Sequence, residues 1–259
     1  MELIFDSHAH YDDPAFDSDR EELLQSMPKK NVSGIVNCGT DLESSYKSIA
    51  LTEKYPFLWA AVGIHPHEAE SVPEHYCEEL KRLASSHRVV AIGEIGLDYH
   101  YDFAAREVQR EVFINQVLLA KELDLPVIIH DREAHADTLS ILNTHQPKGV
   151  VHCFSGSTQM ADELIKLGFF LGFGGAVTFK NAKKPAEVAA HIPLDRLLLE
   201  TDAPYMTPVP YRGNRCDSSM ISFTARKIAE LRGISEGEVL LHTRKNAEFL
   251  FNINNRSEK

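Results

Sequence analysis

The sequence predicts an α/β fold: a (β/α)8 TIM barrel, as a single domain over residues 1–259. Three observations predict it. Short apolar runs alternate with longer amphipathic stretches through eight strand–helix units in about 250 residues. The runs are apolar throughout rather than alternating, as parallel strands covered on both faces require. Residues of the metal-ligating kind recur where the runs end. The competing architecture is a doubly wound open sheet, which would carry a glycine-rich phosphate turn after its first strand. Here that strand ends in Asp6-Ser7-His8-Ala9-His10 instead.

Each unit has its own signal. Residues 3–8 make the first expected strand, followed by a helix over 18–30. Strand two is 33–38 (SGIVNC) with a helix over 41–55, and strand three is 58–64 (LWAAVGI) with a helix over 74–86. Strand four, 89–92, leads into Gly93-Glu94 and a helix over 104–123. That helix is the clearest, because Phe113, Val117 and Ala120, and Ala105, Val112 and Leu119, recur at helical spacing. Strand five is 126–129 with a helix over 133–143; strand six is 149–151 with a helix over 158–167. Strand seven is 169–173 with a helix over 182–190, and strand eight is 197–199. Helices over 219–232 and 235–251 close the chain, and a loosely ordered tail is expected from 252 to 259.

Composition narrows the function classes. The chain is 43% hydrophobic and 25% charged, as in ordinary soluble proteins. No apolar run approaches the ~20 residues of a membrane span, and the N-terminus does not read as a signal peptide. The four cysteines, Cys38, Cys77, Cys153 and Cys216, are dispersed and read as free thiols in a reducing cytoplasm. A net charge of −11 argues against a broad basic face for duplex nucleic acid. It leaves room for a local cationic pocket, or for a metal that supplies the positive charge.

The strand ends carry the chemistry. In a strand, His8 and His10 project on one side. His65 follows strand three, Glu94 strand four, His130 strand five, His152 strand six and Asp202 strand eight. In a barrel these ends converge on one face, where active sites of the fold lie. Histidines with two carboxylates suit a borderline divalent ion such as zinc or manganese. With His65 set aside, the other six exceed one tetrahedral centre and suit two metals bridged by a carboxylate, with Glu94 as the bridge. Any one of these residues alone reads as a turn or core residue; their recurrence at five strand ends is the signal. His75, His87, His135, His145, His191 and His242 fall in or beside helices and read as surface or packing residues, while His67 and His100 are unassigned.

The motifs Asp6-Ser7-His8-Ala9-His10, Gly63-Ile64-His65-Pro66-His67, Gly93-Glu94-Ile95-Gly96-Leu97-Asp98-Tyr99, Pro126 to His130, His152 to Gly156 and Leu199 to Tyr205 are together specific. Through them the chain resembles the TatD family of metal-dependent deoxyribonucleases, in the amidohydrolase-like superfamily. The resemblance implies a dinuclear site of His8, His10, Glu94, His130, His152 and Asp202. It implies two divalent ions, with zinc, manganese, magnesium and nickel all candidates. It implies hydrolysis of nucleic acid, often as a 3′–5′ exonuclease on single strands. Some similar proteins instead remove D-amino acids from tRNA. The chain departs from the family pattern at Arg215-Cys216-Asp217-Ser218, where Arg/Pro-Asn-Glu-Pro is usual. That loop is expected to border the pocket and to bear on substrate preference.

The expected protein is thus a cytoplasmic, metal-dependent deoxyribonuclease acting on DNA ends, with a monomer favoured and no membrane partner. Glu94, Asp202 and His65 are the expected catalytic residues. Asp202 takes the proton from a metal-activated water, Glu94 bridges the metals, and His65 binds phosphate or stabilises charge. Lys180, Arg132 and Arg212 are the further phosphate candidates, and Tyr99, Phe154, Phe179 and Tyr205 are loop aromatics that either stack on a base or pack the loops. The alternatives are a D-aminoacyl-tRNA deacylase or other ester or amide hydrolase on the same site, and a non-catalytic metal-bound scaffold.

Overall fold

A computed structural model describes residues 2–256. Eight parallel strands form one sheet in sequential order: β1 (Ile4–Ala9), β2 (Val32–Cys38), β3 (Leu58–Val62), β4 (Val89–Asp98), β5 (Val127–Arg132), β6 (Gly149–Val151), β7 (Phe170–Phe173) and β8 (Leu197–Leu199). The ring is nearly closed where the chain beyond β8 meets β1. Ala9 and Ala203 form a parallel bridge, the His10 amide donates to the Ala203 carbonyl (2.7 Å), and the Asp202 amide to that of His8 (3.0 Å). Closure therefore brings His8 of β1, His10 just beyond it and Asp202 together. Helices α1 (Arg20–Ser26), α2 (Leu42–Lys54), α3 (Tyr76–Leu83), α4 (Arg106–Glu122), α5 (His135–His145), α6 (Thr158–Lys166), α7 (Lys183–His191), α8 (Ile221–Arg232), α9 (Glu236–Leu250) and α10 (Ile253–Arg256) complete the described elements.

The apolar residues fall into two groups by strand alternation. Ile35, Ala60, Val127, Ile129, Val151, Leu171 and Leu197 join the layer between sheet and helices. Phe5, Val36, Trp59, Val90, Ile128, Val150, Phe170 and Leu198 form a second cluster, which the alternation places inside the barrel. Phe251 and Ile253 belong to that cluster and cap it. On β5, β6 and β8 the inward row continues without interruption from Ile128 to His130, Val150 to His152 and Leu198 to Glu200. On β1 and β4 it does not. Strict alternation from Phe5 would turn His8 outward, but the pairing of β1 with β2 slips between Asp6 and Ala9. The pairing of β4 with β5 slips between Ile92 and Ile95, around Glu94. Such bulges re-aim side chains beside active sites, and these two put His8, His10 and Glu94 on the inner side.

Several boundaries differ from expectation. The helix expected over 18–30 stops at Ser26 and continues as a 3-10 turn over Met27–Lys30, because Pro28 cannot donate within an α-helix. Strand four continues to Asp98, so Glu94 lies within it rather than after it. Ala105 is exposed at the N-cap of α4 rather than buried on its apolar face. A 3-10 segment, Pro66–Ser71, follows His65. The tail is ordered further than expected: Ile253 is buried, and Arg256 donates to the carbonyls of His87 (3.2 Å) and Val89 (2.9 Å). Residues 257–259 of that expected tail lie outside the described residues. Among the described residues no helix is long and apolar enough to cross a membrane.

Candidate active site

Seven side chains from the strand ends meet at one buried point. Glu94 is at its centre and divides its two oxygens. Oε1 faces His130 Nδ1 (2.9 Å), His152 Nε2 (2.9 Å) and His65 Nε2 (3.5 Å). Oε2 faces His8 Nε2 (3.3 Å) and His10 Nε2 (3.4 Å). Asp202 Oδ1 lies 3.6 Å from His8 Nε2 and 3.4 Å from His10 Nε2. The His8 and His152 rings stack at 4.0 Å, joining the two sides. Three overlapping groups have the proximity to hold an ion: His8, His10 and Glu94; His8, His152 and Asp202; His65, Glu94 and His130. The donor set, imidazole and carboxylate only, suits zinc, manganese or nickel better than a hard all-oxygen ion. His65 sits in the third group, so its geometry admits ligation as well as phosphate binding.

A layer of partners aims these donors. His10 Nδ1 meets the Cys38 carbonyl at 2.9 Å, leaving Nε2 for the site. Asp98 Oδ2 takes both His130 Nε2 (3.1 Å) and His67 Nε2 (2.9 Å), leaving His130 Nδ1 facing Glu94. Asp98 Oδ1 accepts the His100 and Tyr101 amides at 3.0 and 2.9 Å. Within β1, buried Asp6 accepts the Thr201 and Ser218 hydroxyls, each at 2.6 Å. Glu200 accepts the Cys153 amide and lies 3.7 Å from His152 Nδ1. His152 Nδ1 and Glu200 Oε2 are both buried without a hydrogen-bond partner. Gly172 makes the room, since a Cβ there would lie 2.2 Å from Glu200 Oε2.

The electrostatics follow from burial against pairing. Burial works to raise Glu94, but the surrounding imidazoles outweigh it and hold the carboxyl well below its ordinary range. Asp202 is lowered in the same way: burial opposes, and His10 and His8 prevail. Burial pushes His8 down to about 4 and His65 well below the usual histidine value. His130 goes up to about 9, because hydrogen bonds to Asp98 and Glu94 overcome its burial. Burial raises Glu200 to about 8 and Asp6 to about 6.

The substrate candidates lie farther out. Lys180 is exposed in the loop after β7. Arg132 is exposed at the end of β5, its guanidinium 4.6 Å from the centre of the Tyr101 ring. Arg212 lies 4.0 Å over Phe179. Of the aromatics, Phe154 is core, and Tyr99 is tied outward to Asp137 (2.6 Å) under Arg106. Tyr205 is exposed and donates to Asp13 (2.7 Å). The departing loop turns inward. Arg215 pairs with Asp19, Cys216 is buried, Asp217 accepts the Ser219 amide, and Ser218 serves Asp6 and Tyr11. Its four residues are thus engaged in structural contacts, which the sequence pattern alone did not reveal.

Comparison with known proteins identifies the family. Residues 5–252 match the family described as TatD related DNase. The chain belongs to the TatD family. Its TatD-type relatives include a metal-dependent hydrolase, YabD, of Bacillus subtilis, 44% identical over 97% of this chain and 100% of the relative. A protein named 3′-5′ ssDNA/RNA exonuclease TatD, of Pectobacterium atrosepticum, is 34% identical over 96% of this chain and 100% of its own. The crystal structure of YJJV, a TatD homologue of Escherichia coli, superposes with a TM-score of 0.90 at 36% identity, over 96% of this chain and 98% of that one. The chain is therefore a TatD-family metal-dependent hydrolase with the barrel of that family. None of these relatives is named for cleavage of an aminoacyl ester, the alternative raised by the sequence.

Proposed function

We propose that the chain is a nuclease that removes nucleotides from the 3′ ends of single-stranded nucleic acid, at two divalent cations held by His8, His10, Glu94, His130, His152 and Asp202. The observation that carries this reading is the division of Glu94, with Oε1 toward one set of histidines and Oε2 toward the other. One carboxylate so placed between two imidazole groups fits a bridge. The relative named as an ssDNA/RNA exonuclease supports the substrate class.

Divalent cations held there would supply positive charge to a phosphodiester and would lower the pKa of a bound water. The protein's part is orientation and proton handling. Asp202, held ionised by His10 and His8 against its burial, accepts the proton of the attacking water. Asp98 and the Cys38 carbonyl hold His130 and His10 in the orientation that directs a ring nitrogen at Glu94. His65 Nε2, next to Glu94, is placed for a ligand or for a phosphate oxygen, and Arg132, Arg212 and Lys180 are the outer cations for the strand. The test is cleavage of a 5′-labelled single-stranded oligodeoxynucleotide by chelator-treated protein resupplied with Mg²⁺, Mn²⁺, Zn²⁺ or Ni²⁺. Expected are stepwise shortening with at least one metal and loss of about 10³-fold or more of the rate in Glu94→Gln. Wild-type protein inert with all four metals, or Glu94→Gln with full rate, overturns the reading.

A further inference from the structure

A pair of large exposed rings stands at the rim of the candidate site. Between β4 and α4 the chain presents Tyr101, 49% exposed, and Phe103, 66% exposed. Their rings stack on each other at 5.3 Å between centres and 20° between planes. His67 meets both edge-on, at 5.4 Å and 4.8 Å. The arrangement is held from below. Asp98 Oδ1 accepts the Tyr101 amide (2.9 Å), and its other oxygen takes both His67 and His130. The rings are thus one side chain removed from a candidate metal ligand, on a loop fixed by the same carboxylate.

Arg132 adds charge at this place. It lies two residues past His130, its guanidinium 4.6 Å from the Tyr101 ring centre. Among the described residues no carboxylate lies within ion-pair distance of it, although the chain as a whole carries a net charge of −11. Two stacked exposed rings beside a guanidinium that lacks a carboxylate partner match the two parts of a nucleotide, an aromatic base and an anionic phosphate. The opposite rim offers less: Phe179 lies under Arg212 without a second ring stacked on it among the described residues, and the Tyr205 hydroxyl is committed to Asp13.

We propose that Tyr101 and Phe103, with Arg132, form a nucleobase subsite that stacks one base of a single-stranded substrate beside the phosphodiester at the metal cluster. This rests on the nuclease reading above. The base lies on the exposed Phe103 ring, and Arg132 meets the phosphate on the next linkage. Recognition is by stacking, so the subsite accepts any base and requires an unpaired strand.

The test pairs changes in protein and DNA. Wild type and the double variant Tyr101→Ala/Phe103→Ala are assayed on a single-stranded oligodeoxynucleotide. They are then assayed on copies carrying one abasic residue at each of the three 3′-terminal positions. Bis(p-nitrophenyl) phosphate serves as a phosphodiester without a base. The double variant should raise KM for the intact strand about tenfold or more, the scale of one lost stack. The kcat for bis(p-nitrophenyl) phosphate, whose aryl ring can itself stack and shift KM, should not change. At one position the abasic residue should cost wild type a similar factor and cost the double variant almost nothing further, because the partner is already gone. Tyr101→Phe/Phe103→Tyr keeps both rings and should restore the wild-type KM, which separates loss of stacking from damage to the loop. DNA cleavage with an unchanged KM, or an abasic penalty equal in both proteins at every position, overturns the subsite and leaves the nuclease reading standing. A wild type that hydrolyses bis(p-nitrophenyl) phosphate but no oligonucleotide overturns both.

Discussion

Asp98 shows how much of this site depends on residues that never touch a ligand. Its Oδ1 accepts two backbone amides, which fixes the carboxylate and leaves Oδ2 to receive N–H groups from His130 and His67. Accepting from His130 Nε2 keeps a proton there, so that the Nδ1 proton, which faces Glu94 in the metal-free site, is the one a bound ion would displace. Asp98→Asn should reverse this. Its carbonyl oxygen stays with the backbone amides, and its NH2 then faces an N–H and drives the proton to Nδ1. Metal affinity should fall about 10–100-fold, read by competition with a chromophoric chelator; unchanged affinity would remove Asp98 from this role. Gly172 offers a second test. A Cβ there would lie 2.2 Å from Glu200 Oε2 and 3.2 Å from His152 Cα. Gly172→Ala should therefore cost about 1–3 kcal/mol of stability, seen as a lower urea midpoint at constant m-value; wild-type stability would mean the Glu200 pocket is looser than it looks. His8, His10, Glu94, His130, His152 and Asp202 were legible because they stand at the ends of apolar runs. Asp98 and Glu200 were not. Asp98 lies four residues beyond Glu94 on a strand that reads as finished, and Glu200 continues the inward row of β8 as the residue after an apolar run. Their significance lies in what faces them across the barrel, which no local pattern encodes.

At the scale of elements, α4 does more than cover the sheet. Its periodicity correctly placed Val112, Phe113, Val117, Leu119 and Ala120 inward, but Gln109 and Gln116 are buried on it too. Seven residues apart, they share a face two helical turns long. The Gln116 side chain accepts from the Ile64 amide (2.7 Å) and donates to the Ile64 carbonyl (3.0 Å), immediately before His65. Gln109 accepts from the Asp98 amide (2.9 Å) and donates to the carbonyls of Asp98 (3.1 Å) and Ala104 (2.8 Å). The helix thus supplies the ladder bonds that β3 and β4 lack where they leave the sheet. Gln109→Leu leaves those backbone groups buried and unpaired, at about 1–3 kcal/mol for each group not rescued by water. The expected result is a lower unfolding midpoint together with weaker metal binding, because Asp98 loses its anchor. A loss of stability with metal affinity intact would confine the role of Gln109 to the fold. These glutamines escape a hydrophobic-period reading because they are polar residues satisfied by distant backbone. The bulges of β1 and β4 escape it for a similar reason, since a one-residue slip is set by pairing with the next strand. The eight-unit order, by contrast, needed only run lengths and apolarity, and the structure follows it from β1 to β8.

For the whole molecule, the candidate ligands come from β1, β4, β5 and the residues that closely follow β1, β6 and β8, over residues 8 to 202. Only the closed barrel gathers them. The unfolded chain keeps together little more than His8-Ala9-His10, so a divalent ion binds the native state far more tightly than the unfolded one and must stabilise the fold by mass action. At a free concentration one hundred times Kd the gain is about 2.7 kcal/mol. For a chain of this size that corresponds to a Tm increase of about 5–10 °C. Calorimetry of chelator-treated protein before and after addition of each metal measures it directly. Glu94→Gln, which keeps the side chain's shape but gives up the charge shared by the two histidine groups, should lose most of the increase while its metal-free form still unfolds cooperatively. The readout needs no substrate, so it tests the metal centre separately from the nuclease reaction. A Tm that no divalent ion moves in wild type would mean that the cluster around Glu94 is a hydrogen-bonded network of the barrel core. An increase that persists in Glu94→Gln would place the ion elsewhere.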